Sequence, residues 1–315
     1  VLPDASRQGS LCATPMTPSL PPAPAATRRQ SIDLLRFVAA FGVVWAHMQA
    51  PGMVEGYVAL ALFTILTAFL SLRSLARRGP RWFWLGRLVR FGLPWVVWSA
   101  FYLLLELWRA EDPRMALTLT DPLRLLIGPT VHLWFLPFII LSSPLVLLAL
   151  HAMTSARHVW ILSLLLIPAA MGALWAHDRI APPEPVIQWA FAALPFLYGL
   201  LSAGGQRHDA VAAPLLFATA SCVGASLLWG SIPAPFLLLA CLLFEGLWRL
   251  PLSHPALPAL GQLAYGIYLV HPFFMLVWYR FAGGWSAIAG AFAVFVASAS
   301  AAWLIRRLPG GRLIA

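Results

Sequence analysis

The sequence predicts an all-α protein threaded repeatedly through a membrane, with about ten transmembrane helices. Three observations carry this. Of 315 residues, 61% are hydrophobic and only 10% charged, with a mean hydropathy of +0.81, too few charges to cover a soluble surface of that size. Apolar runs of about 17 to 25 residues, the length that crosses a bilayer, recur along the chain. The ten-residue alternating segments that a β-barrel needs do not occur.

The elements follow in order. Residues 1–30 are rich in Pro, Ala, Ser and Thr and hold no hydrophobic run, which predicts a disordered cytoplasmic tail rather than a signal peptide. Only tail precedes Met16, so Met16 is a candidate start alongside Val1. Ten apolar segments come next, at 33–50, 56–72, 88–108, 132–150, 158–176, 187–202, 211–230, 232–248, 261–281 and 285–305. Connections are short apart from loops expected around 73–87 and 109–131, and the tightest division falls at Ser231-Ile-Pro-Ala-Pro235. The membrane domain is expected over 31–306, with 307–315 a short cytoplasmic tail. No internal repeat and no appended soluble domain are visible.

Charge sets the expected orientation. All 21 basic residues are Arg. With the N-terminus inside, sixteen lie on the inner side and five (Arg109, Arg114, Arg124, Arg179 and Arg280) outside. Cytoplasmic loops collect positive charge, so both termini are expected in the cytoplasm, which an even number of spans allows. The net charge of +10 is explained by arginines at helix ends, and no nucleic-acid partner is expected. Cys12, Cys222 and Cys241 show no metal or redox spacing, and no metal is expected.

Against this apolar background a few polar residues stand out. The first segment holds Asp33, Arg36 and His47. Eleven residues return an α-helix to within about 20° of the same direction, so Arg36 and His47 share a stripe about 16 Å apart in depth, with Asp33 three residues before Arg36. A charge deep in a membrane helix costs about 2.5 to 3.5 kcal/mol. Either Arg36 is an interfacial anchor and His47 a satisfied core histidine, or the stripe lines a site. His is the side chain suited to accept and return a proton near neutral pH. Arg87 and Arg90 open the third segment on one face. They are positive-inside anchors or a bidentate phosphate clamp. Glu106 shares His47's depth and is a better candidate acid than Glu245. His132 and Trp134 mark an outer interface. Tyr268 and His271 are three apart in the ninth segment, where Pro272 lacks an amide and is expected to bend the helix.

These segments together resemble the acyltransferase-3 group of integral-membrane acyltransferases. The resemblance rests on Arg36 with His47, on Arg87 with Arg90 as an Arg-x-x-Arg, on "HLWFLP" and on "YGIYLVHP", in order over about residues 30–305. The chain departs from the pattern in "FTILTAFL", where Thr67 and Ala68 replace a Ser-Gly pair, and at Ala264, where Ser is frequent. The resemblance implies ten core helices in the bacterial cytoplasmic membrane. It implies transfer of an acyl group, acetyl by default, from cytoplasmic acyl-CoA to a hydroxyl of a glycan or lipid-linked acceptor.

Such chemistry needs a base for the acceptor hydroxyl and stabilisation of the developing oxyanion. His47 is the expected base, or alternatively the covalent acyl acceptor. Arg36 would orient the donor, with Asp33 pairing to it, and Arg87 and Arg90 would hold the coenzyme A phosphates. Glu106, His132, Trp134, Tyr268 and His271 are expected to serve acceptor binding or proton handling. The rival reading is a secondary transporter, which also uses intramembrane Arg, His and Glu, although no paired halves are seen. A non-catalytic scaffold would leave the Arg–His stripe unexplained.

Overall fold

The computed structural model describes residues 29–52, 54, 56–110 and 127–315. Most of the expected N-terminal tail, with Cys12 and Met16, and most of the loop at 109–131, with Arg114 and Arg124, lie outside the described residues. Among the described residues every regular element is helical.

The helices are α1 (Gln30–His47), α2 (Gly56–Arg78), α3 (Pro80–Arg87), α4 (Leu93–Arg109), α5 (Phe135–Leu141), α6 (Ser143–Ala152), α7 (Ala156–Leu165) and α8 (Ile167–Trp175). They continue as α9 (Val186–Arg207), α10 (Ala212–Trp229), α11 (Pro233–Arg249), α12 (Leu257–Ala282) and α13 (Ala287–Ile305). A π turn, Leu88–Gly92, joins α3 to α4, and a 3-10 turn, Val131–Trp134, leads into α5.

Eight helical stretches are long and apolar enough to cross a membrane: Gly56–Arg78, Pro80–Arg109, Val131–Ala152, Ala156–Ile180, Val186–Arg207, Ala212–Trp229, Leu257–Ala282 and Ala287–Ile305. The other two expected segments are helical as α1 and α11. The first is diluted by Gln30, Asp33, Arg36 and His47, and the second has 17 residues. The protein is a multi-pass membrane protein.

The expected loop around 73–87 is a correction. α2 runs on to Arg78 and α3 starts at Pro80, with Gly79 alone between them at φ +78°. Arg77 and Arg78 in the last turn favour continuation, because cations complement the helix C-terminal dipole. Glycine then takes the positive-φ corner, and proline starts the next helix with its φ already set. The polar sequence that resembled a loop is the ends of two helices.

α2 lies at the centre, packed against α1, α6, α9 and α11, while α12 packs against α1 and α13. Membrane helices gain little from apolar burial against lipid and associate through close packing of small residues. A Cβ at Gly199 of α9 would lie 2.5 Å from the Ile65 carbonyl oxygen and 2.8 Å from the Ala68 Cβ. The space that a glycine at 68 would give is thus supplied from the facing helix. Past α13 the chain turns back, and the Trp98 indole donates to the Ile314 carbonyl at 2.8 Å, so the segment after 307 packs on the bundle.

Candidate active site

The stripe of α1 is met by a stripe of α12. Asp33 is buried, and a Cβ on Gly261 would come within 2.6 Å of it, so glycine there lets the helices touch at the carboxylate. One turn further, Tyr265 lines the same cavity as Arg36. At the far end the His47 and His271 rings lie 5.2 Å apart. The pattern 261, 265, 268, 271 follows one helical face, which explains how α12 shadows α1 along its length.

The first half of the site is an arginine cavity of about 180 Å³, lined by Arg36, Arg78, Arg87 and Arg90, with Thr67 and Ser71 of α2, Phe63, Phe135 and Tyr265. Arg87 is buried and held rigidly. Its guanidinium donates to the Ser71 hydroxyl and lies over the Phe83 and Phe91 rings at 4.7 and 5.2 Å. Ser71 in turn donates to the Thr67 carbonyl, and the Thr67 hydroxyl to that of Phe63 at 2.7 Å. Arg90 follows in the π turn, its carbonyl accepting from the Tyr265 hydroxyl at 3.0 Å. The five-residue turn relaxes the normal helical advance, a device frequent at functional sites, and here both arginines reach one cavity.

The second half is a histidine cluster. His132 and His271 are buried, their rings 5.5 Å apart, and the exposed His47 sits over His271. Tyr102 packs on His132 at 5.2 Å and donates its hydroxyl to the Leu269 carbonyl at 2.8 Å. Among the described residues, Nε2 of His132 and Nε2 of His271 have no protein partner. For His271 the reason is legible. Pro272 lacks the amide that would bond the Tyr268 carbonyl four residues back, and Nδ1 of His271 lies 2.8 Å from that oxygen. A carbonyl only accepts, so Nδ1 carries the proton and Nε2 presents its lone pair. α12 stays helical through Pro272.

Tyr268 stands between the two halves. Its ring meets Phe63 at 6.4 Å and Phe135 at 5.9 Å on the cavity side, and His132 at 5.7 Å and His271 at 6.2 Å on the other. Its hydroxyl donates to the His132 carbonyl.

Of the residues singled out in the sequence, Arg36, Arg87 and Arg90 are brought to one cavity, and His47, His132, Tyr268 and His271 to one cluster. Asp33 lies at the α1–α12 contact. Glu106 is half-buried on α4, one turn beyond Tyr102. Trp134 is buried against Phe135 and Phe138. Glu245 serves packing: it accepts from Tyr198 and Ser202 at 3.0 Å each and pairs with Arg249 at 2.9 Å. Arg78, Ser71, Tyr102 and Tyr265 were not singled out in the sequence. Arg78 was hidden among anchoring charges, while Tyr265 lay within a quoted motif and could have been taken from it. Among the described residues no three His, Cys, Asp or Glu side chains, the histidine cluster included, are placed to hold a metal ion together.

The match to known families now decides the class. Residues 29–307 match the model of the acyltransferase domain of the acyltransferase-3 type. The chain belongs to that family. Neither a curated protein nor a solved structure matches the chain. As an acyltransferase of this family, the protein has an arrangement with two separable capacities. One half concentrates guanidinium groups, which suit a phosphorylated donor. The other offers imidazole nitrogens, which suit proton transfer.

Proposed function

We propose that this membrane acyltransferase moves an acyl group, acetyl by default, from acyl-CoA to a hydroxyl of a glycan or lipid-linked acceptor. The observation that supports this most is the order met along the α1–α12 pair: the arginine cavity at Arg36, then Tyr268, then His47 and His271 with His132 beside them. Arg87 and Arg90, with Arg78, hold the donor phosphates bidentately, and Arg36 orients the pantetheine arm along Phe63 and Phe135. The thioester passes Tyr268 to reach the cluster.

There His47 takes the proton of the acceptor hydroxyl as its oxygen attacks the thioester carbonyl. The C–S bond then breaks, the acyl group stays on the acceptor, and the coenzyme A thiolate takes up a proton. The Nε2 lone pair of His271, fixed by its other nitrogen, steadies or relieves the His47 proton. In the cell the chain has ten spans with both termini cytoplasmic, in a bacterial inner membrane. The donor enters from the cytoplasm, and the acceptor is reached at the opposite face. The 31–306 membrane domain carries this chemistry, and membrane lipids surround it.

Radiolabelled acetyl-CoA supplied to inside-out vesicles tests the reading. Label transferred to a non-protein product and lost in His47→Ala is expected. Label that crosses unchanged, or no transfer from any acyl-CoA, overturns it.

A further inference from the structure

A second group of arginines lies on another face of α2, apart from the cavity described above. Arg29, at the start of α1, and Arg73 of α2 both place their guanidinium carbons over the Trp248 ring of α11, at 4.6 and 5.1 Å. Arg29 also donates to the Trp248 carbonyl at 2.7 Å. Arg73 lies over Phe69 at 5.4 Å and reaches the Gln206 side-chain oxygen at 3.5 Å. Arg77 and Arg207 complete an open basin of about 510 Å³, which continues past Trp248 into one of about 400 Å³.

Two features separate this basin from the general gathering of positive charge at one membrane face. First, the charges converge instead of spreading. Arg29 and Arg77 both act repulsively on Arg73, and cation–π stacking with weak polar contacts does not remove that repulsion. Among the described residues no carboxylate is within ion-pair reach of Arg29, Arg73, Arg77 or Arg207. Asp209 borders only the smaller opening, and Glu245 is taken by Arg249. Second, the amide nitrogen of Gln206, which lines both openings, is buried without a protein partner. Several guanidinium forks thus face one space, with an unsatisfied donor buried in its wall.

We infer that this basin, centred on Trp248 between α2, α9 and α11, is a second phosphate-binding site, taking the headgroup of an anionic phospholipid or a soluble phosphate. Phosphate oxygens match the guanidinium fork, and Arg73 and Arg77 lie at a helix end, where a headgroup meets a membrane protein. The site is independent of the acyl-transfer reading and holds whichever acceptor the enzyme uses.

The full chain in neutral detergent gives the test. Its thermal midpoint is followed against a short-chain phosphatidylglycerol, the phosphatidylcholine with the same chains, and inorganic pyrophosphate, since a ligand that binds the folded state raises the midpoint. Phosphatidylglycerol or pyrophosphate is expected to raise it where phosphatidylcholine does not. Pyrophosphate can also enter the Arg87 and Arg90 cavity, so only the shift removed by the Arg73 and Arg77 substitutions belongs to this basin; there the first ligand acting alone identifies lipid, and the second acting alone a soluble phosphate. At about fivefold per arginine, Arg73→Gln with Arg77→Gln shifts the titration about thirtyfold, whereas Arg81→Gln with Arg157→Gln, exposed arginines that line neither opening, leaves it in place. If the Gln pair does not fold, Arg73→Lys with Arg77→Lys keeps both charges but loses the forks, and a weaker shift in the same direction is expected. The proposal is overturned if neither anion exceeds phosphatidylcholine. It is also overturned if the Arg81 and Arg157 pair weakens binding equally, or if the Lys pair binds unchanged.

Discussion

Replacing Pro272 with alanine should separate stability from activity. In the native helix the missing amide leaves the Tyr268 carbonyl to Nδ1 of His271, at 2.8 Å. The substituted alanine would supply a backbone donor to the same oxygen, and the imidazole would share or lose its anchor. A neutral hydrogen bond contributes about 0.5 to 1.5 kcal/mol net. Loss of the preferred tautomer therefore lowers turnover about two- to twelvefold, by RT of about 0.59 kcal/mol. The same change relieves a proline inside a helix, worth up to about 3 kcal/mol relative to Ala, so the thermal midpoint should rise. The assay is kcat and KM for acyl-CoA beside a melting curve. The expected result is lower kcat, unchanged KM and a higher midpoint. Unchanged kcat with a raised midpoint would refute the claim that the His-Pro pair sets the tautomer of His271.

Other substitutions probe the remaining parts. His47→Ala should cost about 10²- to 10⁴-fold in transfer, and full activity in a normally folded variant would remove it as the base. Arg87→Ala with Arg90→Ala should raise KM for acyl-CoA with little change in kcat, while Arg90→Lys should restore only part, because a point charge lacks the fork. An unchanged KM would count against the phosphate role. Gly199→Ala would press a methyl against the Ile65 carbonyl and Ala68, and should destabilise by about 1 to 3 kcal/mol. A midpoint that does not fall would mean that α2 and α9 separate without cost.

The helical frame was readable because span length and hydrophobicity are local quantities. All ten apolar segments are helical within a few residues of their expected limits, except where arginine-rich ends extended α2 and where Pro80 started α3 early. The Arg36–His47 stripe was readable from spacing alone. What spacing could not give was which elements face it. That α12 lies against α1 depends on Gly261 meeting Asp33, a contact between residues 228 positions apart. Arg78 differs from Arg77 by one position, yet the two face different cavities, since each residue turns the helix by about 100°. Trp134 read as an interface residue by type, but Phe135 and Phe138 gave it an apolar socket instead.

A catalyst set in a membrane faces a hazard unknown to one in solution: a polar path through the protein can also conduct ions. Tyr268, buried and held to the His132 carbonyl, interrupts the path between the guanidinium groups and the imidazoles with an aromatic ring packed on Phe63 and Phe135. The guanidinium groups and the imidazoles are thus divided by an aromatic layer, which the proposed passage of the thioester has to displace and then restore. A layer that closes again between turnovers would let a polar site sit in an energised membrane without becoming an ion path.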